Sequence, residues 1–575
     1  MKATVAALLL LGLAALADAQ LDWWQKSVIY QVYPRSFKDG GTDGIGDIPG
    51  IIEKLDHFVE TGIGGVWLSP VFKSPMKDFG YDVSDFRDID PIFGTMADFD
   101  ALVLGCRARG LKLILDFVPN HSSDEHDWFI RSKAREDPYT DYYTWKDPVG
   151  VNASGSPIPP NNWLSNFGGP AWTWVEERQQ FYLHQFHAGQ PDLNYRNPLV
   201  VEEMNDILRF WLDKGADGFR LDAVPHLMED QTFPDEPPSN DPSYGPDQWG
   251  SLLHIYTKDQ PELYSLIYGF RDVVDQKQGE LGRSLVMMVE AYTNITNTML
   301  YYGNGTHVGA HFPFNFELIN NLNNNTDAAG LRNVISNWFN YLPSGAWSNW
   351  VVGNHDQPRV AGRFGNEFGL SAIILSQLLP GTGVTYNGEE INMENTFISW
   401  EDTVDPSGCQ AGPDEYWRFS RDPERTPFQW SADSMAGFTA GSTTWLPINE
   451  NYVTLNLEAQ KAAAVSPYKV YQKLTAARRD IIAVQTGEFK MLTLNSNVFA
   501  FVREVPSGNP SVLVLVNMDN FTQVVDANPG STLPAIGTYY TGSLESVYVE
   551  NEEISLSSVN LSARGAAVII YDALA

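Results

Sequence analysis

The chain has 575 residues, 43% hydrophobic and 19% charged, which is ample for a large buried core and excludes a disordered chain or a low-complexity fibre. Lys and Arg total 38 against 71 Asp and Glu, a formal net charge of -33; that field repels nucleic acid and anionic membrane surfaces and favours a neutral partner. Two cysteines, Cys106 and Cys409, exclude a disulfide scaffold and a thiolate metal cluster; they could form one bridge, but with Cys106 on an expected helix and Cys409 in an expected loop the favoured reading is two unrelated free thiols.

The N-terminus, Met1-Lys2-Ala3 followed by an apolar run from Val5 to Leu16 and the small-x-small site Ala17-Asp18-Ala19, reads as a secretory signal over 1–19. A mature chain would start near Gln20. No later stretch reaches the roughly 18 uninterrupted apolar residues of a transmembrane helix. The C-terminal run from Gly565 to Ala575 is a short strand interrupted by Asp572, unlike a lipid-anchor tail. In a secreted chain the sequons at Asn152, Asn294, Asn304, Asn324, Asn520 and Asn560 are candidate glycosylation sites. Asn120 is set apart because it falls inside a candidate active-site motif.

Short apolar runs alternate with helical patterns over most of the chain. Val28 to Tyr33 reads as a strand, Leu55 to Val59 as a helix, Gly65 to Ser69 as a strand, Asp98 to Arg109 as a helix and Leu111 to Phe117 as a strand, the rhythm of βα units and a parallel sheet. The rhythm breaks between Pro119 and about Asn197, rich in Pro, Gly, Asn and Trp and too long for a loop, so a small inserted domain is expected. It resumes with a helix from Val201 to Lys214 and a strand from Asp217 to Asp222. After a Pro- and Asp-rich excursion, Thr232 to Gln248, come strands at Ser284–Glu290, Phe312–Phe316, Trp350–Gly353 and Val384–Tyr386. That makes eight, the number that closes a (β/α)8 TIM barrel. Beyond about Thr486, the runs at Val498–Val502, Val512–Val516 and Ala566–Tyr571 read as an antiparallel β-sandwich. The expected organisation is an α/β barrel over 20–118 and 198–485, an inserted domain after strand three over 119–197 and a C-terminal β-sandwich over 486–575.

In such a barrel, polar residues at the C-terminal ends of strands are the catalytic candidates. Strand two is followed by Gly80-Tyr81-Asp82, strand three ends Asp116-Phe-Val-Pro-Asn-His121, strand four Arg220-Leu221-Asp222, strand five Glu290, and strand seven Asn354-His355-Asp356. Any one of these carboxylates is as readily a helix cap, but the whole set converges on one rim. Clustered carboxylates with no serine nucleophile, no Gly-rich phosphate loop and no redox cysteine pair point to glycoside hydrolysis. One carboxylate attacks the anomeric carbon and a second carboxylic acid protonates the leaving oxygen.

As an ordered set, Asp116–His121, Gly218-Phe-Arg-Leu-Asp222, the Glu290 strand and Asn354-His355-Asp356 resemble the four signature regions of the α-amylase superfamily, glycoside hydrolase family 13. Gln190-Pro-Asp-Leu-Asn194, Tyr30–Phe37 and Ser420–Trp430 resemble its α-glucosidase and oligo-1,6-glucosidase branch, closest to the secreted insect maltases. The resemblance implies Asp222 as nucleophile, Glu290 as general acid and base, and Asp356 as the residue that grips the distorted glucose. It implies that His121 and His355 donate to sugar hydroxyls, that Tyr81 stacks on the ring, and that Asp82 and Arg421 close the far end of a terminal-glucose pocket. Arg220, two residues before Asp222 and on the same face of the strand, should favour the ionised nucleophile, while Glu290 needs a raised pKa. Ala223, after the nucleophile, is a small residue of the kind found in α-1,4-specific relatives, where α-1,6 enzymes carry Val.

The implied activity is that of a secreted, retaining, exo-acting α-glucosidase on small neutral α-glucosides: maltose, short malto-oligosaccharides and sucrose. The alternatives are an α-1,6-preferring or glucosyl-transferring relative, or a carbohydrate-binding or receptor protein on the same fold; the complete trio Asp222, Glu290 and Asp356 argues against the last. The Gly-rich loop Asp39-Gly-Gly-Thr-Asp43-Gly-Ile45-Gly-Asp47 offers hard oxygen ligands suited to a structural Ca²⁺, with Asp39, Asp43, Ile45 and Asp47 as the candidate set. The resembling family's loop usually has Asn where this chain has Gly41; the ion is the favoured reading and a tight Asp-Gly turn the alternative. No organic cofactor is implied.

Overall fold

The computed structural model describes residues 21–506 and 508–574; the expected signal segment lies outside them. Eight parallel strands form the central sheet: β1 (Val28–Val32), β2 (Gly65–Leu68), β3 (Lys112–Phe117), β4 (Gly218–Leu221), β5 (Val286–Val289), β6 (Phe312–Pro313), β7 (Asn349–Trp350) and β8 (Thr382–Tyr386). The ladder order is β6-β5-β4-β3-β2-β1-β8-β7, so each strand lies beside its neighbours in sequence, as in the expected barrel. The seam between β6 and β7 carries no ladder and is closed by one side chain. Asn349 Oδ1 accepts the Asn315 amide at 2.9 Å and its Nδ2 donates to the Pro313 carbonyl at 2.7 Å.

Period-two alternation along the strands explains what fills the barrel. Val28, Tyr30 and Val32 pack outward with the helices, as do Leu113, Leu115 and Phe117. Ile29, Trp67, Ile114, Met288, Phe312 and Val384 form a separate apolar cluster inside. Two residues further toward the C-terminal end of each strand, the same inward side carries Gln31, Asp116 and Glu290. An apolar floor thus supports a polar layer at the end where barrel enzymes place their chemistry.

The surrounding helices are amphipathic and capped. Pro198–Lys214 starts at Asn197, whose side chain accepts the Leu199 amide at 3.0 Å, and buries Val200, Met204, Ile207, Leu208, Trp211 and Leu212, a stripe at helical spacing. Met96–Ala108 begins in a Thr95–Asp98 capping box. Cys106 is buried in this helix. Cys409 lies in the short helix Pro406–Ala411 rather than a loop, because Asp405 caps it and Pro406 occupies its first turn; both thiols are free.

Between β3 and the Pro198 helix the chain forms the helix Asp127–Lys133, which the sequence pattern did not reveal, and an antiparallel sheet of Trp145–Lys146, Gln180–Leu183 and Trp172–Val175. Trp163, Ala171, Trp172, Phe181 and Leu183 give it a small core. At the C-terminal end, β9 (Glu488–Thr493), β10 (Val498–Glu504), β11 (Pro510–Asn517), β12 (Gln523–Val525), β13 (Ile536–Gly542), β14 (Glu553–Ser555), β15 (Val559–Leu561) and β16 (Ala566–Asp572) make an antiparallel sheet in the order β9-β10-β11-β16-β13-β14 and a pair β12-β15. Phe499, Phe501, Val512 and Val514 face the barrel core; the alternate residues Val498, Ala500, Leu513 and Leu515 pack with Val525, Val559 and Leu561 of the small pair. Among the described residues no helix is long and apolar enough to cross a membrane. Asn152, Asn294, Asn304, Asn324 and Asn520 are exposed and Asn560 is partly so, whereas Asn120 is only 1% exposed and donates to Asp192.

Candidate active site

The ends of β4 and β5 place the central pair. The Asp222 amide donates to Phe117 O and the Glu290 amide to Leu221 O, each at 2.9 Å, so the ladder extends one residue beyond each strand and both carboxyl groups leave the sheet in fixed directions. Between them sits Arg220, 1% exposed. Its Nη1 donates to both oxygens of Asp116, at 2.9 and 3.1 Å, and to Asp222 Oδ1; its Nη2 lies 2.9 Å from Glu290 Oε2. One guanidinium thus ties three carboxyl groups together. Asp116, further held by Trp67 Nε1 at 3.3 Å and Tyr81 Oη at 3.2 Å, lies behind the site and anchors Arg220. Ala223, which follows Asp222, adopts φ 46° and ψ 33° and donates its amide to Glu290 Oε2 at 2.9 Å. This left-handed residue turns the chain so that the acid is bound by backbone as well as by Arg220.

Asp356 stands apart from that trio of carboxyls. It is half-buried, and its Oδ1 accepts from Arg425 Nη2 at 2.8 Å and Arg421 Nη1 at 3.2 Å. Burial pushes its carboxyl up, but His355 and the guanidiniums of Arg425, Arg421 and Arg220 outweigh this and hold it well below the usual carboxylate range. Glu290 goes the other way. Burial, opposed by Arg220 and reinforced by the charges of Asp222 and Asp356, pushes it up to about 8. Asp222 is also raised by burial, though less far, against the pull of Arg220. One positive charge cannot neutralise Asp116, Asp222 and Glu290 together, so burial and mutual repulsion raise all three above the usual carboxylate range.

These side chains face a cavity of about 360 Å³, at the small end of the range for ligand sites. Asp222, Glu290, Asp356, Tyr81, His121, Ala223, His355 and Arg421 all line it; Arg220 lies behind its wall. The two histidines are neutral and already partnered. Gln31 Nε2 donates to His355 Nδ1 at 2.8 Å, which leaves the proton on Nε2, beside Tyr81 Oη at 2.7 Å and Asp356 Oδ2 at 3.3 Å. His121 Nε2 donates to the Tyr81 carbonyl at 2.9 Å, and burial lowers its pKa to about 4. Tyr81 is stacked flat on His355, with centroids 5.3 Å apart and planes 5° apart.

Asp82, expected at the far end of the pocket, does not line the cavity. Asp82 is 0% exposed and faces away from the cavity. Its oxygens accept from Ser74 Oγ and the amides of Lys77 and Asp78 at 2.8–3.0 Å, so it tethers a loop. Asp78, three residues before Tyr81, lines the cavity and accepts from Arg421 Nη2 at 2.9 Å. Arg421 also donates to Asp405 through Nε at 2.8 Å. Arg425, in the same Ser420–Trp430 motif, was a further residue that sequence reasoning passed over; fully buried, it holds both Asp356 and the His355 carbonyl. Trp249 and Tyr292 also line the cavity.

The loop from Asp39 to Asp47 lies outside this cavity. Asp39 accepts the Gly41 and Gly44 amides and Thr439 Oγ1, Asp43 accepts the Ile45 amide, and Asp47 accepts the Gly40 and Gly50 amides while capping the following helix. Burial raises the Asp47 carboxyl, and Asp39 and Asp43 add to the rise, so the three repel one another. Among the described residues no three His, Cys, Asp or Glu side chains converge closely enough to hold a metal ion.

A family model of the alpha-amylase catalytic domain matches residues 31–487. The chain is 49% identical over 556 residues to Maltase 1 of Drosophila virilis, covering 96% of this chain and 87% of that one. It is 48% identical over 502 residues to the salivary alpha-glucosidase of Anopheles gambiae, covering 87% and 84%. The crystal structure of an alpha-glucosyl transfer enzyme superposes with a TM-score of 0.83 at 33% identity, covering 96% of this chain and all of that one.

Proposed function

The chain belongs to the alpha-amylase family, and from that premise we propose that it is a secreted, retaining, exo-acting α-glucosidase that releases glucose from maltose and short α-1,4-glucosides. Its relatives are named as maltase and alpha-glucosidase. The observation that carries the reading is the pair Asp222 and Glu290 on adjacent strands, gripped by the two terminal nitrogens of one guanidinium at the edge of a cavity. Sharing one guanidinium brings the two carboxyls near each other, which supports a retaining pair, with carboxyls about 5–5.5 Å apart, over the wider gap that an inverting enzyme needs for its water.

The terminal glucose enters until it meets the Arg421–Asp78 ion pair, which blocks the far end and makes the enzyme exo-acting. Asp356, held ionised by Arg421 and Arg425, accepts hydrogen bonds from the sugar hydroxyls and favours the positive charge that develops on the ring. Glu290 gives its proton to the glycosidic oxygen as Asp222 bonds to the anomeric carbon, which releases the second sugar and leaves a β-glucosyl-enzyme. The ionised Glu290 then takes a proton from water, which attacks the same carbon and expels Asp222, giving α-glucose. Glu290 alternates between acid and base, so its affinity for a proton must lie near the working pH. Glucose release from maltose by purified protein, lost in Asp222→Asn, tests the reading.

Secretion rests on the N-terminal 1–19 pattern and on the salivary relative; sucrose as a substrate and glycans on the six exposed or partly exposed sequons belong to the same proposal. A structural Ca²⁺ at Asp39, Asp43, Asp47 and the Ile45 carbonyl is supported by the mutual repulsion of three carboxyls on one tight loop, which a divalent cation would relieve. It requires Asp43, exposed and bound only within its own turn, to swing inward.

A further inference from the structure

Arg35, in the short helix Pro34–Phe37 that follows β1, is only 6% exposed. Its Nε is buried without a partner, and among the described residues its guanidinium makes no hydrogen bond and no ion pair. The arginines of the catalytic cavity are placed differently: Arg220, Arg421 and Arg425 are each tied to carboxylates. Burying a charge without a partner costs free energy, and the reaction above assigns Arg35 no part.

What surrounds the Arg35 guanidinium is aromatic. Its Cζ lies 5.2 Å from the Phe79 ring centroid, 5.2 Å from that of Trp445 and 6.0 Å from that of Phe93, all within cation–π reach. A planar guanidinium stacks on such faces in a way that an ammonium does not. The Phe79 and Trp445 rings also pair with each other, with centroids 5.2 Å apart. Trp445 is fixed in its turn. Its Nε1 donates to Ser36 Oγ at 3.0 Å and its amide to the Gly44 carbonyl at 3.1 Å.

Phe79 is where this cluster meets the terminal-glucose pocket. It is a non-glycine residue at φ 48°, a conformation that persists only where its surroundings hold it. Asp78 precedes it, and the Tyr81 amide donates back to the Asp78 carbonyl at 3.0 Å. The turn thus presents both Asp78 and Tyr81 to the cavity, the first bound to Arg421 and the second to His355. On its other side Gly80 packs so closely that a Cβ there would lie 3.1 Å from the Pro70 carbonyl oxygen. Two local costs, an unpaired buried charge and a left-handed Phe, therefore fall on residues in contact. That is the pattern of stability given up for a functional geometry.

We infer that Arg35 is a positioning residue: clamped among Phe79, Phe93 and Trp445, it holds the left-handed turn at Phe79 and so sets the places of Asp78 and Tyr81 against the terminal glucose. It does not line the cavity and acts only through the rings. The inference rests on the α-glucosidase reading above.

The test measures kcat and KM for maltose, with Tm alongside, for the full purified chain and for Arg35→Met, Arg35→Lys, Phe79→Ala and the Arg35→Met/Phe79→Ala double variant. Met fills the space without a charge, and Lys keeps the charge without the flat face. KM is expected to rise roughly fivefold or more in Arg35→Met and Phe79→Ala, and by less in Arg35→Lys, with a smaller fall in kcat. The sugar loses well-placed partners while Asp222 and Glu290 stay fixed on their strand ends. The double variant should match Phe79→Ala, because Arg35 then has no turn to hold. A defect of folding alone removes active enzyme and lowers kcat at unchanged KM. KM unchanged in both Arg35 variants, or effects that multiply in the double variant, overturns the inference while leaving wild-type hydrolysis intact. Absence of glucose release by the wild type overturns the α-glucosidase reading itself.

Discussion

Replacing Ala223 by Val separates two effects that the structure superposes at one residue. Ala223 has φ 46° and ψ 33°, a conformation that a β-branched side chain resists at a cost of about 1–3 kcal/mol. That strain falls on the folded state, lowers Tm by a few degrees, and is indifferent to the substrate. The second effect is local. Ala223 lines the cavity next to Asp222, so two added methyls project where the leaving sugar must sit. An α-1,4 linkage holds the second ring near that wall; an α-1,6 linkage adds a rotatable bond and swings it away. Crowding on this scale is worth about 1–3 kcal/mol of discrimination, or roughly tenfold or more in kcat/KM for maltose with isomaltose spared. A third route is also measurable, because the Ala223 amide donates to Glu290 Oε2 at 2.9 Å. If Val displaces the backbone, the acid loses a partner and the rate with both sugars falls together with a shift in the pH profile. The assay is kcat/KM for maltose and isomaltose in wild type, Ala223→Val and Ala223→Gly, with Tm alongside. Gly relieves the left-handed strain and widens the wall, so it should keep the maltose preference without loss of stability. An unchanged maltose-to-isomaltose ratio in Ala223→Val would falsify the steric account and leave Ala223 as a backbone device alone.

Asp78→Asn, which removes a charged partner of Arg421 in the cavity, should lower kcat/KM for maltose by roughly 10- to 100-fold, the scale of a hydrogen bond between charged groups; Asp82→Asn should chiefly lower Tm, and the reverse pattern would restore Asp82 to the pocket. Glu290 must carry a proton to act, and with its pKa raised by burial to about 8 the protonated fraction is lost as pH rises through that value. The alkaline limb of kcat/KM is therefore expected near pH 8 and absent from the residual activity of Glu290→Gln, whereas a limb below about pH 6 contradicts the assignment. Chelation by EDTA should lower Tm with little change in kcat at room temperature, since the Asp39–Asp47 loop lies outside the cavity; an unchanged Tm with no calcium in metal analysis removes the ion.

The barrel strands were legible because each is a short apolar run, buried on both faces, at βα spacing. β6 and β7 are two residues each, shorter than the expected runs Phe312–Phe316 and Trp350–Gly353, the second of which meets its strand only at Trp350; that Asn349 closes their seam was not legible, since a side chain bonding across a gap leaves no periodic trace. The Asp127–Lys133 helix was missed because it is seven residues long and set among Pro, Gly and Trp. Asp222, Glu290 and Asp356 were readable as strand-end carboxylates. Asp82 was misread for a related reason: it adjoins Tyr81, and proximity in sequence stood in for direction in space. The chain turns at Phe79 and Gly80, both at positive φ, so Asp78 enters the cavity and Asp82 turns into the loop. The partnering of both histidines was equally out of reach, because Gln31 and Tyr81 meet His355 only once the barrel is closed.

The central claim is that Asp222 and Glu290 act as a retaining pair, and the anomeric configuration of the first glucose tests it most directly. Proton NMR of maltose with purified protein, followed before mutarotation, should show the α-anomer of the released glucose appearing first, with no release by Asp222→Asn. Initial appearance of the β-anomer would mean that water, not Asp222, attacks the sugar, and would contradict the pairing of the two carboxyls on Arg220 as the catalytic geometry.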